Sequence, residues 1–241
     1  MTSTEAREDL RSRALAAGER FAAREGEVGH EELTREILAW AAETFGEDLV
    51  VASNMQDAVL VELGAAARPG VDVLFLETGY HFAETLGTRD AVAHQYGVRI
   101  VEARPEHTVA EQDRLEGEDL FATDPGRCCE LRKVIPLQET LGRYDAWVTG
   151  VRRVEAPTRA HTPLVTWDER HQLVKINPIT HWTDEQMNAY IDAHRVLVNP
   201  LVGEGYPSIG CAPCTQKPAP GSDPRSGRWA GFSKTECGLH G

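Results

Sequence analysis

The chain of 241 residues lacks the features that suit a protein to a membrane or to nucleic acid. Its 25 Lys and Arg residues are outnumbered by 38 Asp and Glu residues, which gives a formal net charge of −13. A surface of that sign repels phosphate backbones and anionic lipids. No apolar run approaches the roughly 20 residues of a membrane-spanning helix, and residues 1–25 are charged rather than signal-like. The composition predicts a cytoplasmic globular enzyme or binding protein.

Cysteine is also scarce, with five in the chain and none before Cys128. An odd number argues against a closed disulfide framework. Cys128 and Cys129 are adjacent, Cys211 and Cys214 form a C-x-x-C pair, and Cys237 stands alone near the end. In a reducing compartment, two close pairs of thiols indicate a zinc or iron–sulfur site. Adjacent ligands fit a zinc tetrahedron poorly, so we favour a cluster.

Apolar periodicity divides the chain into three parts. Residues 1–45 are predicted to form an N-terminal extension of two surface helices, 46–202 an α/β domain, and 203–241 a C-terminal segment rich in Gly, Pro and Ser. The predicted strands are 48–53, 71–78, 98–103 and 144–150, with a hairpin over 164–179; the predicted helices are 5–25, 30–45, 56–67, 81–97, 129–142 and 184–194, the last capped by Thr183. Pro136 is expected to break or kink the helix over 129–142. This alternation predicts a parallel sheet covered by helices on both faces.

Ligands of such sheets bind beyond the carboxyl ends of the strands. Three segments are expected there: 53–57, 77–80 and 149–153. The first opens a helix, whose free N–H groups favour an anion, but from these five residues alone a simple helix N-cap by Ser53 or Asn54 is the favoured explanation. Arg152 and Arg153 in the third match phosphate or sulfate geometry, with surface solvation as the alternative.

Basic residues gather around the cysteines despite the acidic total. Arg127, Arg132 and Lys133 flank the adjacent pair, and Arg225 and Arg228 follow the C-x-x-C pair. They could neutralise an anionic cluster, grip an anionic substrate, or do both. Cys237 lies in a tail without predicted structure. From its surroundings alone, an inert thiol and a nucleophile activated by nearby cations are equally supported.

Three segments closely resemble the assimilatory adenylyl-sulfate (APS) reductases of bacteria, the actinobacterial type above all. They are C-C-E-L-R-K-V-I-P-L from Cys128, G-Y-P-S-I-G-C-A-P-C-T from Gly205 and E-C-G-L-H from Glu236. The likeness runs from about Ser53 to the end. It implies a PP-loop (adenine nucleotide α-hydrolase-like) fold. The first loop carries S-N-M-Q-D-A in place of the S-G-G-K-D-S of relatives that use ATP, which fits a fold that no longer cleaves ATP.

The resemblance also implies roles for individual residues. Cys128, Cys129, Cys211 and Cys214 are expected to hold a [4Fe–4S] cluster, and Cys237 is expected to be the nucleophile. The expected substrate-binding residues are Ser53, Asn54, Gln56, Asp57, Leu76, Thr78, Gly79, Lys133, Gly150, Arg152, Arg153, Arg159, Arg225, Arg228 and His240. Among these, Lys133, Arg225 and Arg228 are expected to contact the phosphosulfate. The loops at residues 53–57 and 76–79 are expected to contact the adenosine.

The implied activity is reduction of APS to sulfite and AMP, with thioredoxin as reductant and an S-sulfocysteine on Cys237. A phosphoadenylyl-sulfate (PAPS) reductase, or an enzyme that uses both nucleotides, is the near alternative, but that type usually lacks the four cluster cysteines. An ATP-consuming adenylyltransferase or tRNA-thiolating enzyme would need the glycine-rich loop. A non-catalytic iron–sulfur sensor would bind nucleotide without turnover. The oligomeric state stays open.

Overall fold

The computed structural model describes residues 3–229 and 238–239, and its centre is a six-stranded sheet. The strands are β1 (Leu49–Ala52), β2 (Asp72–Leu76), β3 (Arg99–Ala103), β4 (Ala146–Val148), β5 (Val165–Asp168) and β6 (Leu173–Ile176). Their order across the sheet is β3-β2-β1-β4-β6-β5. All neighbours are parallel except β5, which pairs antiparallel with β6. The predicted parallel sheet and the predicted hairpin are both confirmed.

Ten α-helices lie in the described part of the chain. They are α1 (Ser3–Arg24), α2 (His30–Phe45), α3 (Val59–Ala67), α4 (Ala83–Tyr96), α5 (Val109–Glu116), α6 (Leu120–Thr123), α7 (Pro125–Cys129), α8 (Ile135–Leu141), α9 (Asp184–His194) and α10 (Pro200–Gly203). A π-helical turn over Glu130–Val134 joins α7 to α8. Along the described residues no helix is both long and apolar enough to cross a membrane.

One face of the sheet, called the first face below, carries the larger core. Strand residues such as Val51, Val73 and Val148 are fully buried there. Helices α1 and α2 belong to the same core, because Phe21 and Ile37 are buried in it. The two N-terminal helices therefore help to cover the sheet, while the domain boundaries near residues 45 and 202 stay predictions.

The opposite face, called the second face, carries a smaller apolar cluster. Since side chains alternate along a strand, the neighbours of the first-face residues point here. The buried members are Val50, Leu74, Ala103, Leu137, Leu141, Trp147 and Leu173. Leu137 and Leu141 come from α8, a helix of only seven residues. Leu239, near the end of the chain, also packs against this cluster.

The structure differs from the predicted helices in several places; α10, for example, was not predicted, and α7 begins at Pro125, before the predicted start at residue 129. Helix α3 begins at Val59 rather than residue 56, because Ser53 Oγ and Asp57 Oδ1 accept the N–H groups of Met55 and Val59 in the preceding turn. The helices between residues 109 and 123 were not predicted. The helix expected over 129–142 contains the π turn, and Pro136 lies in the first turn of α8, where its missing N–H is tolerated. The Thr183 cap of α9 is confirmed.

Candidate active site

Four of the five cysteines meet in one pocket. Cys128 and Cys129 end α7, while Cys211 immediately precedes a short 3₁₀ turn and Cys214 ends it. All four are free thiols, and the first three are buried. The rest of the pocket wall is formed by Tyr80, Phe121, Pro125, Arg132 and Lys133. Residues about 80 positions apart therefore line one pocket, as the spacing of the cysteines predicts.

The electrostatics show that these thiols affect one another. Burial raises the pKa of Cys128 to about 12, and the other three cysteines raise it in the same direction. Burial and Cys211 raise the pKa of Cys214 to about 11, against the opposing charges of Lys133 and Arg228. Burial and the neighbouring thiols thus favour the neutral forms of Cys128 and Cys214 unless positive charge offsets them. Within the described residues, no three His, Cys, Asp or Glu side chains surround a position for a single metal ion.

Arg132 joins this pocket to the loop after β2. Its side chain is only 3% exposed, and it donates from Nε to the carbonyl of Thr78. Nη1 donates to Gln112 Oε1 at 3.0 Å and to the carbonyl of His107 at 3.3 Å. The guanidinium lies 5.4 Å from the ring centre of Tyr80. Sequence reasoning noticed Arg132 beside the cysteines but did not predict that it would tie three chain segments together.

The predicted substrate loop after β2 rests directly on the cysteine pocket. The Cys211 thiol contacts Thr78 Oγ1 at 3.4 Å, and Thr78 is 1% exposed. Gly79 has a φ of +75°, a conformation that favours glycine. A Cβ at Gly79 would also lie 3.0 Å from both Arg132 Nη2 and Val109 Cγ2. Leu76, which ends β2, packs against the second-face cluster.

The loop after β1 is linked to the C-x-x-C segment through Gln56. Gln56 Nε2 donates to the carbonyl of Pro207 at 3.2 Å, and Oε1 accepts the N–H of Ile209 at 3.0 Å. Asn54 Oδ1 accepts the N–H of Gln56 at 3.1 Å. Burial raises the pKa of Asp57, against the hydrogen bond from the Val59 N–H and the charge of Arg152. Both predicted nucleotide loops thus support the cysteine pocket.

The predicted arginines after β4 lie among acidic partners. Arg152 pairs with Asp184 at 2.8 Å and with Glu155 at 3.4 Å. Arg159 also pairs with Glu155. Gly150, before this group, is exposed at the end of the strand.

Arg153 pairs with Glu25 through both Nη atoms, and its Nε donates to the carbonyl of Thr162 at 2.9 Å. This arginine fastens the end of α1 to the loop before β5. Its role in substrate binding, predicted from sequence, stays a prediction.

Arg228 holds the backbone that precedes Cys211. Nη1 donates to the carbonyl of Ile209 at 3.0 Å and contacts Ser208 Oγ at 3.4 Å. A Cβ at Gly210 would lie 2.1 Å from Arg228 Nη2, so a larger residue there would displace the guanidinium from its present position. Lys133 is buried in the pocket wall, and Arg225 is half-buried. Cys237 and His240 lie outside the described residues.

Comparison with known proteins identifies the family of this fold and pocket. Residues 48–217, which contain all four pocket cysteines, match the model of the phosphoadenosine phosphosulfate reductase domain. An adenosine 5'-phosphosulfate reductase from Mycolicibacterium smegmatis is 71% identical over 205 residues, covering 85% of this chain and 87% of the relative. The chain belongs to this reductase family. The resemblance seen in the three cysteine-bearing segments is confirmed.

Further relatives and solved structures agree with this assignment. Adenosine 5'-phosphosulfate reductases from Rhodococcus opacus and Mycobacterium tuberculosis are 67% and 60% identical, covering 86% and 85% of this chain and 87% of each relative. The PAPS reductase of Candida auris, solved with phosphate, superposes with a TM-score of 0.64 at 28% identity, covering 76% of this chain and 90% of that one. An FMN adenylyltransferase of Candida glabrata shares the fold alone, with a TM-score of 0.55 at 13% identity over 85% of this chain and 64% of that one.

Proposed function

We propose that this chain is a cytoplasmic enzyme that reduces APS to sulfite and AMP in sulfate assimilation, with thioredoxin as the reductant. The observation that carries the proposal is the pocket in which four thiols, Lys133 and Arg132 meet beside the Thr78–Gly79 loop. The names of relatives 60–71% identical to this chain support APS as the substrate. The location in the cytoplasm is supported by the reduced state that these thiols require.

We assign a [4Fe–4S] cluster to Cys128, Cys129, Cys211 and Cys214. The donor set fits, because four thiols line one pocket and no disulfide joins them. Buried Arg132 and Lys133 supply positive charge against the anionic thiolates. When bound, the cluster contributes a fixed charge that organises these side chains.

In the proposed reaction, the Cys237 thiolate attacks the sulfur atom of APS. The new S–S bond forms as the bond from sulfur to the bridging phosphate oxygen breaks, and AMP leaves with that electron pair. A thioredoxin thiolate then attacks the Cys237 sulfur, and sulfite leaves with the electrons of the broken S–S bond. The second thioredoxin thiol resolves the mixed disulfide, so two electrons pass from thioredoxin to the sulfuryl group.

Cations position the two charged ends of the substrate in this scheme. Lys133 lies in the wall of the cysteine pocket, and Arg228 supports the backbone at residues 208–209. With Arg225 they offset charge on the sulfuryl group and on the departing phosphate. We assign the adenosine to the loops after β1 and β2, and the remaining contacts to Gly150, Arg152, Arg153, Arg159 and His240.

PAPS is the second candidate substrate, since the Candida auris enzyme of that name has the same fold at 28% identity. The four pocket cysteines favour APS in this chain. A sensor that binds nucleotide without turnover is the candidate from a different class.

The test is an intact-mass measurement after anaerobic incubation of the cluster-containing protein with APS and no thioredoxin. We expect one added sulfonate group, mapped to Cys237 and removed by thioredoxin with release of sulfite. An adduct with PAPS but not with APS would keep the mechanism and change the substrate. If neither nucleotide modifies the protein, the reductase proposal fails and the sensor replaces it.

A further inference from the structure

The side chain of Gln56 forms two hydrogen bonds with the backbone just before the C-x-x-C pair. Its Nε2 donates to the carbonyl of Pro207 at 3.2 Å, and its Oε1 accepts the N–H of Ile209 at 3.0 Å. The amide thus uses both a donor and an acceptor on one short stretch of chain, as a neighbouring backbone would. Gln56 therefore links the loop after β1 directly to the segment that leads into Cys211.

The backbone that carries Gln56 is fixed by the segment before α10. The carbonyl of Gln56 accepts the N–H of Asn199 at 2.9 Å, and the N–H of Ala58 donates to the carbonyl of Leu197, also at 2.9 Å. The Asn199 side chain donates from Nδ2 to the carbonyl of Met55 at 3.1 Å, and Asn199 is 1% exposed. The Gln56 side chain therefore extends from a backbone that is itself held, so its amide can hold a second segment in place.

Cys211 lies between backbone groups that other parts of the candidate site also hold. Arg228 Nη1 donates to the carbonyl of Ile209 at 3.0 Å, two residues before this cysteine. The N–H of Ala212, immediately after it, donates to the carbonyl of Tyr80 at 2.7 Å. Tyr80 belongs to the loop after β2. The position of the Cys211 thiol therefore depends on both of the loops to which the adenosine is assigned.

The residue type at position 56 suits this task. The first loop carries S-N-M-Q-D-A, so Gln56 stands where relatives that use ATP have the lysine of S-G-G-K-D-S. A lysine ammonium has three donors and no acceptor, so it could not accept the N–H of Ile209. Lysine suits an anionic ligand, whereas glutamine can bind a carbonyl and an N–H of one backbone segment.

We propose that Gln56 is a positioning residue, which holds residues 207–209 and thereby places Cys211 at the cluster, and that its side chain does not contact the adenosine. The inference rests on the proposed function for the cluster and for the nucleotide. Because these bonds join the loop after β1 to the cysteine segment, a nucleotide that orders the loop also orders the segment. By thermodynamic linkage, the nucleotide and the cluster then stabilise each other's binding.

The test follows iron release from the cluster-containing protein into a chelator under anaerobic conditions, with and without AMP. Without nucleotide, Gln56→Ala should release iron about ten-fold faster than wild type, because two hydrogen bonds beside Cys211 are lost. Saturating AMP should slow release about five-fold in wild type but less than about two-fold in Gln56→Ala. Gln56→Glu should be intermediate without nucleotide, because its carboxylate can accept the Ile209 N–H but cannot donate to Pro207.

Gln138→Ala is the matched control, because it removes an exposed amide from α8 and should leave iron release unchanged. If the Gln56 side chain instead contacted the adenosine, Gln56→Ala would release iron at the wild-type rate in the absence of nucleotide. That result would overturn the proposal. So would protection by AMP of the same size in Gln56→Ala and wild type, or equal acceleration in the Gln56 and Gln138 variants, which would indicate general destabilisation.

Hydrogen exchange provides a second readout that needs neither turnover nor nucleotide. Amides of residues 207–212 should exchange several-fold faster in Gln56→Ala than in wild type, because the Ile209 N–H loses its acceptor. Peptides from the first-face core should exchange equally in the two proteins. Equal exchange over 207–212 would contradict the positioning role. If wild-type protein holds no iron or binds neither APS nor AMP, the proposed function fails, and the exchange comparison still tests the hold of Gln56 on residues 207–209.

Discussion

The two faces of the sheet differ in how thickly helices cover them and in how they connect to the cysteine pocket. The first face is covered by several helices, among them α1 and α2, and its core is apolar. The second face is covered over its smaller core by α8, a helix of seven residues. Leu239 packs against this second face, and the π turn that leads into α8 carries Arg132 and Lys133 of the cysteine pocket. The more thinly covered face is thus the one whose covering helix continues directly into the wall of the cysteine pocket.

The π turn before α8 places two charged side chains, Arg132 and Lys133, in the wall of the cysteine pocket. A π turn holds more residues per turn than an α-helix, and such turns occur often at functional sites. Here it spans Glu130–Val134 and contains both Arg132 and Lys133, which are 3% and 8% exposed. Both charges therefore lie against the cysteine pocket.

Removing a pocket thiol should have the largest effect of all on activity. The core of the first face should stay intact. Cys211→Ser is expected to lose iron and acid-labile sulfide and to lower sulfite formation by about three orders of magnitude or more. The far-ultraviolet circular dichroism should stay close to wild type, because the first-face core is untouched. Iron analysis, sulfite release and the spectrum provide the three measurements.

Cys237→Ser is the matched control for this change. It should abolish sulfite release equally, yet keep its iron and its affinity for APS. Loss of iron from Cys237→Ser would contradict the separation of cluster ligands from nucleophile. Sulfite release at the wild-type rate would overturn the proposed mechanism.

Shortening one buried side chain in each core to alanine should show whether the two faces differ in their effect on iron binding. Ile37 on the first face is fully buried, and Leu137 on the second is 2% exposed. Each change to Ala should lower the free energy of unfolding by about 2–5 kcal/mol. Only Leu137→Ala should also lose iron, because α8 continues directly from the turn that carries Arg132 and Lys133.

Denaturant unfolding and iron analysis of the two variants provide the measurement. Ile37→Val, expected to cost about 1 kcal/mol, replaces Ile37→Ala if that variant does not fold. Equal iron loss in both variants would show that the two faces are not independent.

Much of the fold could be predicted because its signals are local. The predicted strand over 71–78 is a short, mainly apolar run between Gly70 and Gly79, and Thr183 with Gln186 forms a recognisable cap. The helix over residues 109–116 was missed, although Thr108 and Glu111 form a capping box. That segment carries few apolar residues, so periodicity gave no reason to look for the cap.

The sequence predicted those parts of the candidate site in which the residue type alone identifies the chemistry. It did not predict which distant residues would contact one another. Four cysteines in two pairs indicated a shared pocket, and the structure brings them together. The partners of Gln56 and Arg153 could not be predicted, because they lie 151 and 128 positions away in the chain. A guanidinium after a strand looks the same in sequence whether or not it pairs with a distant carboxylate, as Arg153 does with Glu25.

The smallest expected effect is a change in melting temperature. It concerns Asp72, at the amino-terminal edge of the second face, and its contacts with Arg99 and Tyr144. Tyr144 Oη donates to Asp72 Oδ2 at 2.8 Å, and Arg99 donates to both oxygens of Asp72 at 2.6 and 2.7 Å. Burial raises the pKa of Asp72, but the bonds from Arg99 and Tyr144 outweigh it and hold the pKa below its ordinary value. The carboxylate therefore stabilises the fold above the pKa of an unfolded Asp, about 3.9.

Asp72→Asn should accordingly lower the melting temperature by about 2 °C at neutral pH, since Arg99 is largely exposed and the pair is screened. The gap between wild type and variant should persist down to about pH 5 and close as the pH falls through the lowered pKa, where wild-type Asp72 also becomes neutral. Thermal melts from pH 3 to pH 8 measure the gap, with Asp90→Asn as the control for an exposed carboxylate paired with Arg89. A gap that does not narrow at all between pH 5 and pH 3 would mean that shape rather than charge holds this edge, and the second face would then resemble the first.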